Sequence, residues 1–125
     1  SLSVDRVLVD APCSELGALR RGPDLRFRID PDALASFPPL QREILANASR
    51  HVRKGGRLVY ATCSIRREEN EAVALDFERS HPEFQRVDPP APWLDPSCRT
   101  PEGFVRTWPH VHGTDGFFAA VWTKR

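Results

Sequence analysis

The sequence predicts an α/β fold: an open, mostly parallel sheet with helices on both faces and an antiparallel edge at the C-terminus. Three observations carry that expectation. Strand-like and helix-like segments alternate along most of the chain, the pattern of a parallel sheet with crossover helices. The first segment, Val4 to Val9, is apolar and β-branched apart from Asp5-Arg6. A strand of that composition is normally buried on both faces. Near the C-terminus two further strand-like runs flank Gly113-Thr114-Asp115-Gly116, turn residues that let them pair antiparallel.

The opening strand stops at Asp10-Ala11-Pro12. Ser14 to Asp30 has no strong periodicity, and Arg20-Arg21-Gly22-Pro23-Asp24 has turn chemistry. Asp32 is placed to cap a short helical turn that Pro38-Pro39 interrupts. A longer helix then follows, with Leu40, Ile44, Leu45, Ala48 and Val52 on one face. Lys54-Gly55-Gly56 reads as its end, a cation in the last turn and then glycines able to take positive φ. Arg57 to Thr62 forms the next strand, ending at Cys63-Ser64. Arg67 to Ser80 forms a second helix, whose Glu68, Glu69 and Glu71 suit the positive end of its dipole. Phe84 to Val87 is a short strand, 89 to 103 a Pro-rich loop, and Phe104 to Trp108 and Phe117 to Thr123 are the closing strands.

At 125 residues the chain has room for one domain. Charged residues make up 28%, and the net charge is +1, which excludes a polybasic tail protein but not a local basic patch. No apolar run is long enough to span a bilayer, and no signal-peptide layout is present. Three cysteines, Cys13, Cys63 and Cys98, are too few for a disulfide framework, and none forms a C-x-x-C pair. A reducing, cytoplasmic compartment follows as the expectation. His110 and His112 flank Val111 with no third ligand in sight, so no metal is expected. Trp93, Trp108 and Trp122 suit base stacking, but packing is their commoner use.

Two of the cysteines occupy equivalent places. Cys13 lies just past the first strand and Cys63 just past the second. Ligands of open α/β sheets bind outside the carboxyl ends of the strands, so two thiols at two such ends converge on one crevice. From Ile44 to Arg67 there is no acid, while Arg50, Arg53, Lys54, Arg57, Arg66 and Arg67 supply six cations. Arg66 and Arg67 follow Cys63 at a helix N-terminus, which favours its thiolate. Arg20, Arg21, Arg26 and Arg28 form a second basic cluster after Cys13. Such clusters suit a phosphate-bearing substrate.

Several motifs occur in order: Asp10-Ala11-Pro12-Cys13-Ser14, Arg20-Arg21-x-Pro23-Asp24, Leu40-Gln41-x-x-Ile44-Leu45, Gly55 to Ser64, and Glu68-Glu69-Asn70-Glu71. With the closing Gly113-Thr114-Asp115-Gly116-Phe117-Phe118, they closely resemble the Nop/Sun family of S-adenosylmethionine-dependent RNA (cytosine-5) methyltransferases, the bacterial Sun/Fmu-like 16S rRNA enzymes above all. The resemblance implies a Rossmann-like methyltransferase sheet, S-adenosylmethionine as cofactor and RNA as partner, rRNA before tRNA. It implies that Cys63 is the nucleophile that adds to carbon 6 of cytosine, and that Cys13 assists product release. It places Asp10 at the cofactor and the target base. Chemistry alone leaves those two thiol roles interchangeable.

Two departures from the family pattern stand out. Glu15 or its neighbour Leu16 occupies a position where the family carries glycine or a small residue, and Glu15 puts a carboxylate close enough to Cys13 to raise its pKa. No glycine-rich loop of the G-x-G type follows any strand. Residues 1–125 are therefore expected to be a single partial domain, the C-terminal part of a catalytic domain, inactive alone and binding cofactor weakly without the upstream half. A tRNA enzyme, a non-catalytic RNA-binding domain of the same fold and a plain α/β binding module are the alternatives.

Overall fold

The computed structural model describes residues 3–16, 30–88 and 94–125. The basic cluster at Arg20 to Arg28, the Arg20 to Asp24 motif and Trp93 lie outside the described residues. The elements run β1 (Val4–Asp10), α1 (Pro31–Ser49), β2 (Val52–Thr62), a 3-10 turn (Arg67–Glu69), α2 (Glu71–Ser80), β3 (Phe84–Arg86), β4 (Val105–Arg106), a one-turn α3 (Pro109–His112) and β5 (Phe118–Lys124). They build one five-stranded mixed sheet in the order β1-β2-β5-β3, with β4 also paired to β5. β1 and β2 are parallel, and every pairing of β5 is antiparallel. The fold is thus mixed α/β, as the alternation of segments implies. β5 is an interior strand, between β2 on one side and β3 with β4 on the other.

Alternation along the strands decides which face is covered. Leu58 and Tyr60 of β2, Val9 of β1, and Phe118, Ala120 and Trp122 of β5 are buried together. Leu45 of α1 and Val73, Ala74 and Phe77 of α2 pack on that face, and the Phe77 ring lies 4.9 Å from that of Trp122. Both long helices therefore cover the same face. On the other, Leu8, Val59 and Val121 form a cross-strand row lining a shallow apolar cavity of about 450 Å³. Leu8 is 68% exposed, so β1 is not covered on both faces among the described residues, and the helices expected on two faces are seen on one.

Several boundaries differ from the sequence reading. Pro38 and Pro39 do not interrupt α1. Proline at position 38 leaves the Leu34 carbonyl without its helical N–H, and Arg66 Nη1 donates to that oxygen at 3.0 Å. The Asp30 carboxylate caps the helix start by accepting from Asp32 N at 3.0 Å, with Pro31 at the first helical position. The buried stripe of α1 is Gln41, Leu45 and Ser49, and Leu40 is largely exposed.

The helix ends at Ser49, so Val52 opens β2, and Gly55-Gly56 lie within that strand. Pairing of β1 with β2 jumps from Val4↔Val52 to Arg6↔Arg57, so the intervening residues of β2 loop out as a bulge. Gly55 takes φ of +80° there. A Cβ on Gly56 would stand 2.7 Å from the Asp5 carbonyl oxygen, so only glycine fits at the crossing.

Candidate functional site

β1 and β2 run side by side and finish level, Asp10 pairing with Ala61 and the Ala11 N–H reaching the Ala61 carbonyl at 3.0 Å. The residues just past these ends are Cys13 and Cys63. Their sulfurs lie 3.3 Å apart, each cysteine half-buried. The two thiols singled out in the sequence thus meet at one sheet edge. Asp10 is exposed at the same carboxyl end of β1.

A carboxylate that sequence reasoning missed lies beneath both cysteines. Glu69 is fully buried. Its Oε1 accepts from the Ser14 backbone N–H at 2.8 Å and from Gln41 Nε2 at 3.1 Å. Its Oε2 accepts from Ser14 Oγ and Ser64 Oγ, both at 2.7 Å, and from Arg66 Nη1 at 3.1 Å. Burial pushes the carboxyl up, but the hydrogen bonds from Ser64, Ser14 and Gln41 outweigh it and hold the pKa below its ordinary 4.5. The neighbouring Asn70 is buried as well. It accepts from Thr62 Oγ1 at 2.5 Å and donates from Nδ2 to the Ser64 carbonyl at 2.8 Å. Tyr60 OH donates to the Glu69 carbonyl at 2.7 Å. In the sequence, Glu69 reads as one of several acids facing a helix dipole. Only its place in the Glu68-Glu69-Asn70-Glu71 motif distinguishes it.

The electrostatics at Cys63 differ from the sequence expectation. Burial pushes the thiol up, and contact with Cys13 and the charge of Glu15 push the same way, so its pKa rises to about 12. The cations expected to favour thiolate are committed elsewhere. Arg66 pairs with Glu68 and Glu69, and Arg67 with Glu71 and Glu102. The 3-10 turn intervenes before α2 begins at Glu71, so the helix terminus does not lie at the sulfur. Arg53 pairs with Asp5 at the opposite end of β2. The six cations of the acid-free stretch are therefore not one patch. The charge of Glu15 raises the Cys63 pKa, and Glu15 takes φ of +60°. That left-handed conformation explains why a glycine suits the position.

The remaining candidates take packing roles. Cys98 is buried in a 3-10 turn. Trp122 is in the core, and the Arg106 guanidinium lies 4.6 Å from the Trp108 ring centre. His112 Nδ1 accepts from Trp108 N at 2.9 Å, and its Nε2 hydrogen-bonds Ser97 Oγ at 2.9 Å. Among the described residues no group of three or more His, Cys, Asp or Glu is arranged to hold a metal, and no helix is long and apolar enough to cross a membrane.

The described residues thus form a mixed α/β sheet with two thiols in contact beyond neighbouring parallel strands. Across residues 1–123 the sequence matches the model of the 16S rRNA methyltransferase RsmB/F family, and the chain belongs to that family. It is 40% identical over 129 residues to the probable ribosomal RNA small subunit methyltransferase B of Bacillus subtilis, covering 97% of this chain and 28% of the relative. The crystal structure of PH0851 superposes with a TM-score of 0.88 at 46% identity, covering 97% of this chain and 27% of that one. NSun6 from Pyrococcus horikoshii, solved with SFG, superposes with a TM-score of 0.82 at 29% identity, covering 98% of this chain and 30% of that one. The chain thus spans about a quarter of the length of the relatives it matches.

Proposed function

We propose that residues 1–125 form the part of an RNA (cytosine-5) methyltransferase domain that carries its two reacting thiols, and that the RNA is small-subunit rRNA. The observation that carries the reading is the 3.3 Å contact between Cys13 Sγ and Cys63 Sγ beyond neighbouring parallel strands. Membership of the RsmB/F family and the methyltransferase names of the relatives support the substrate class. The compartment proposed is the cytoplasm.

Carbon 5 of cytosine is too weak a nucleophile to take a methyl group unaided. Sulfur addition at carbon 6 makes carbon 5 enamine-like, so that it can attack an electrophilic methyl. A base then removes the proton from carbon 5, and the carbon–sulfur bond breaks as the double bond re-forms. Cys63 is assigned the addition and Cys13 the release. Burial and the Cys13 contact push the Cys63 pKa up to about 12, so its proton must pass to a general base as sulfur adds.

S-adenosylmethionine supplies the electrophilic methyl when bound. Of the residues here, Asp10 would hold it in part, because a carboxylate exposed at the end of β1 can accept hydrogen bonds from a polar cofactor. A complete enzyme containing this sequence, given radiolabelled S-adenosylmethionine, is expected to label 16S rRNA and yield 5-methylcytosine on digestion. Label appearing in tRNA alone would replace the substrate, and label on another base would overturn the reading.

A further inference from the structure

Glu69 does more than satisfy its own burial. Two of the residues that saturate it are the immediate neighbours of the two cysteines. Ser14 follows Cys13 and gives it both the backbone N–H and the hydroxyl; Ser64 follows Cys63 and gives it the hydroxyl. The two serine oxygens are themselves 3.2 Å apart. Gln41 ties the same carboxylate to the turn before Cys13, its Nε2 donating to the Pro12 carbonyl at 2.9 Å. Arg66 adds a cation from just past Cys63. Both turns lie beyond regular strand pairing, so the β1–β2 ladder does not fix them.

We propose that Glu69 is a positioning residue that clamps the Cys13-Ser14 and Cys63-Ser64 turns together, so that the two sulfurs meet at one reacting centre. The inference rests on the two-thiol reading and deepens it. An ionised carboxylate suits the task because it only accepts, with about four lone-pair directions over two oxygens. Here those oxygens receive five donors from three parts of the chain. Glu69→Gln keeps the shape but turns one oxygen into an NH2 group, which cannot accept. At least two donors then lose their partner, and buried donors without partners force the turns apart.

The readout is the effective concentration of one thiol against the other, a geometric quantity that needs no RNA. A complete enzyme containing this sequence is equilibrated with reduced and oxidised glutathione. Two protein thiols become one disulfide, and the two electrons and two protons reduce oxidised glutathione to two glutathione molecules. Peptide mapping confirms that the bridge joins Cys13 to Cys63. Glu69→Gln is expected to lower the effective concentration at least tenfold. Phe84→Leu, a core change in β3 away from the site, is expected to lower the melting temperature while leaving the effective concentration within twofold.

A folded Glu69→Gln protein with the wild-type effective concentration overturns the clamp. If Glu69→Gln does not fold, Ser64→Ala decides. It removes one arm, and a drop of about threefold or more supports the clamp, whereas no change overturns it. The two readings fail separately. A reduced effective concentration beside a Cys63→Ala enzyme that still methylates keeps the clamp and removes the two-thiol reading. An unchanged value beside a trapped RNA adduct does the reverse.

Discussion

At the scale of single residues, two side chains behave differently from what their type suggests. Cys63 is a nucleophile candidate held as a thiol. Burial, the Cys13 contact and Glu15 raise its pKa to about 12. Since thiolate is the reactive form, its alkylation should keep rising about tenfold per pH unit past pH 9, where an ordinary thiol levels off. Iodoacetamide rates for Cys63, resolved by peptide mass spectrometry between pH 7 and pH 11, check this; a plateau near pH 8.5 would place the nearby arginines in control after all. Glu15 sits at φ +60°, a conformation that costs a non-glycine residue about 1 kcal/mol. Glu15→Gly should therefore raise stability by up to about 1 kcal/mol, since the released strain exceeds the added chain entropy only modestly. Urea unfolding measures it.

At the scale of elements, composition made the strands readable, and long-range compensation hid the boundaries. Val7, Leu58, Tyr60 and Trp122 alternate with residues of the other face as strand residues do, and their strands lie within a few residues of where the sequence puts them. Pro38-Pro39 reads as a break because the donor that rescues the Leu34 carbonyl belongs to Arg66, far along the chain. Lys54-Gly55-Gly56 reads as a helix end because a helix terminus and a bulge both ask for positive φ, and only the pairing register separates them. The bulge gives a direct test. Gly56→Ala drives a Cβ against the Asp5 and Arg53 carbonyl oxygens, at 2.7 and 2.9 Å. It should destabilise the protein by about 1–3 kcal/mol, the usual range for overpacking. A melting temperature equal to wild type would mean that β1 and β2 cross differently. Within the site, the pair of cysteines was legible because each follows a strand. Glu69 was not, because an acid at the start of a helical segment looks alike whether it faces solvent or gathers five donors.

At the scale of the whole molecule, the sheet covers one face with α1 and α2 and presents Leu8, Val59 and Val121 on the other. The 125 residues hold the strand ends that carry the thiols, and Asp10 is the one cofactor contact proposed among them from the family resemblance. One carboxylate cannot fix a nucleoside and an amino acid together, because each ordered group costs entropy that several contacts must offset. Isothermal calorimetry on the 125-residue protein should therefore show no saturable binding of S-adenosylmethionine at micromolar concentration. A micromolar Kd would mean that a cofactor site lies within these residues. That Cys13 and Cys63 meet beyond neighbouring strand ends was foreseeable from general rules of α/β sheets. That α1 and α2, the long helices among the described residues, take the same face was not, since alternation along a strand does not say which face the next helix takes.

The central claim is that Cys63 adds to the base and Cys13 frees it, and the most direct measurement is a denaturing gel of a complete enzyme containing this sequence, incubated with its RNA and S-adenosylmethionine. Cys63→Ala should give no methylation and no adduct, because without addition at carbon 6 carbon 5 stays unreactive. Cys13→Ala should transfer the methyl group once and then stall as a covalent protein–RNA band that survives denaturation. A band with Cys63→Ala and none with Cys13→Ala would reverse the two roles. Full methylation by both variants, with no band from either, would contradict the thiol mechanism.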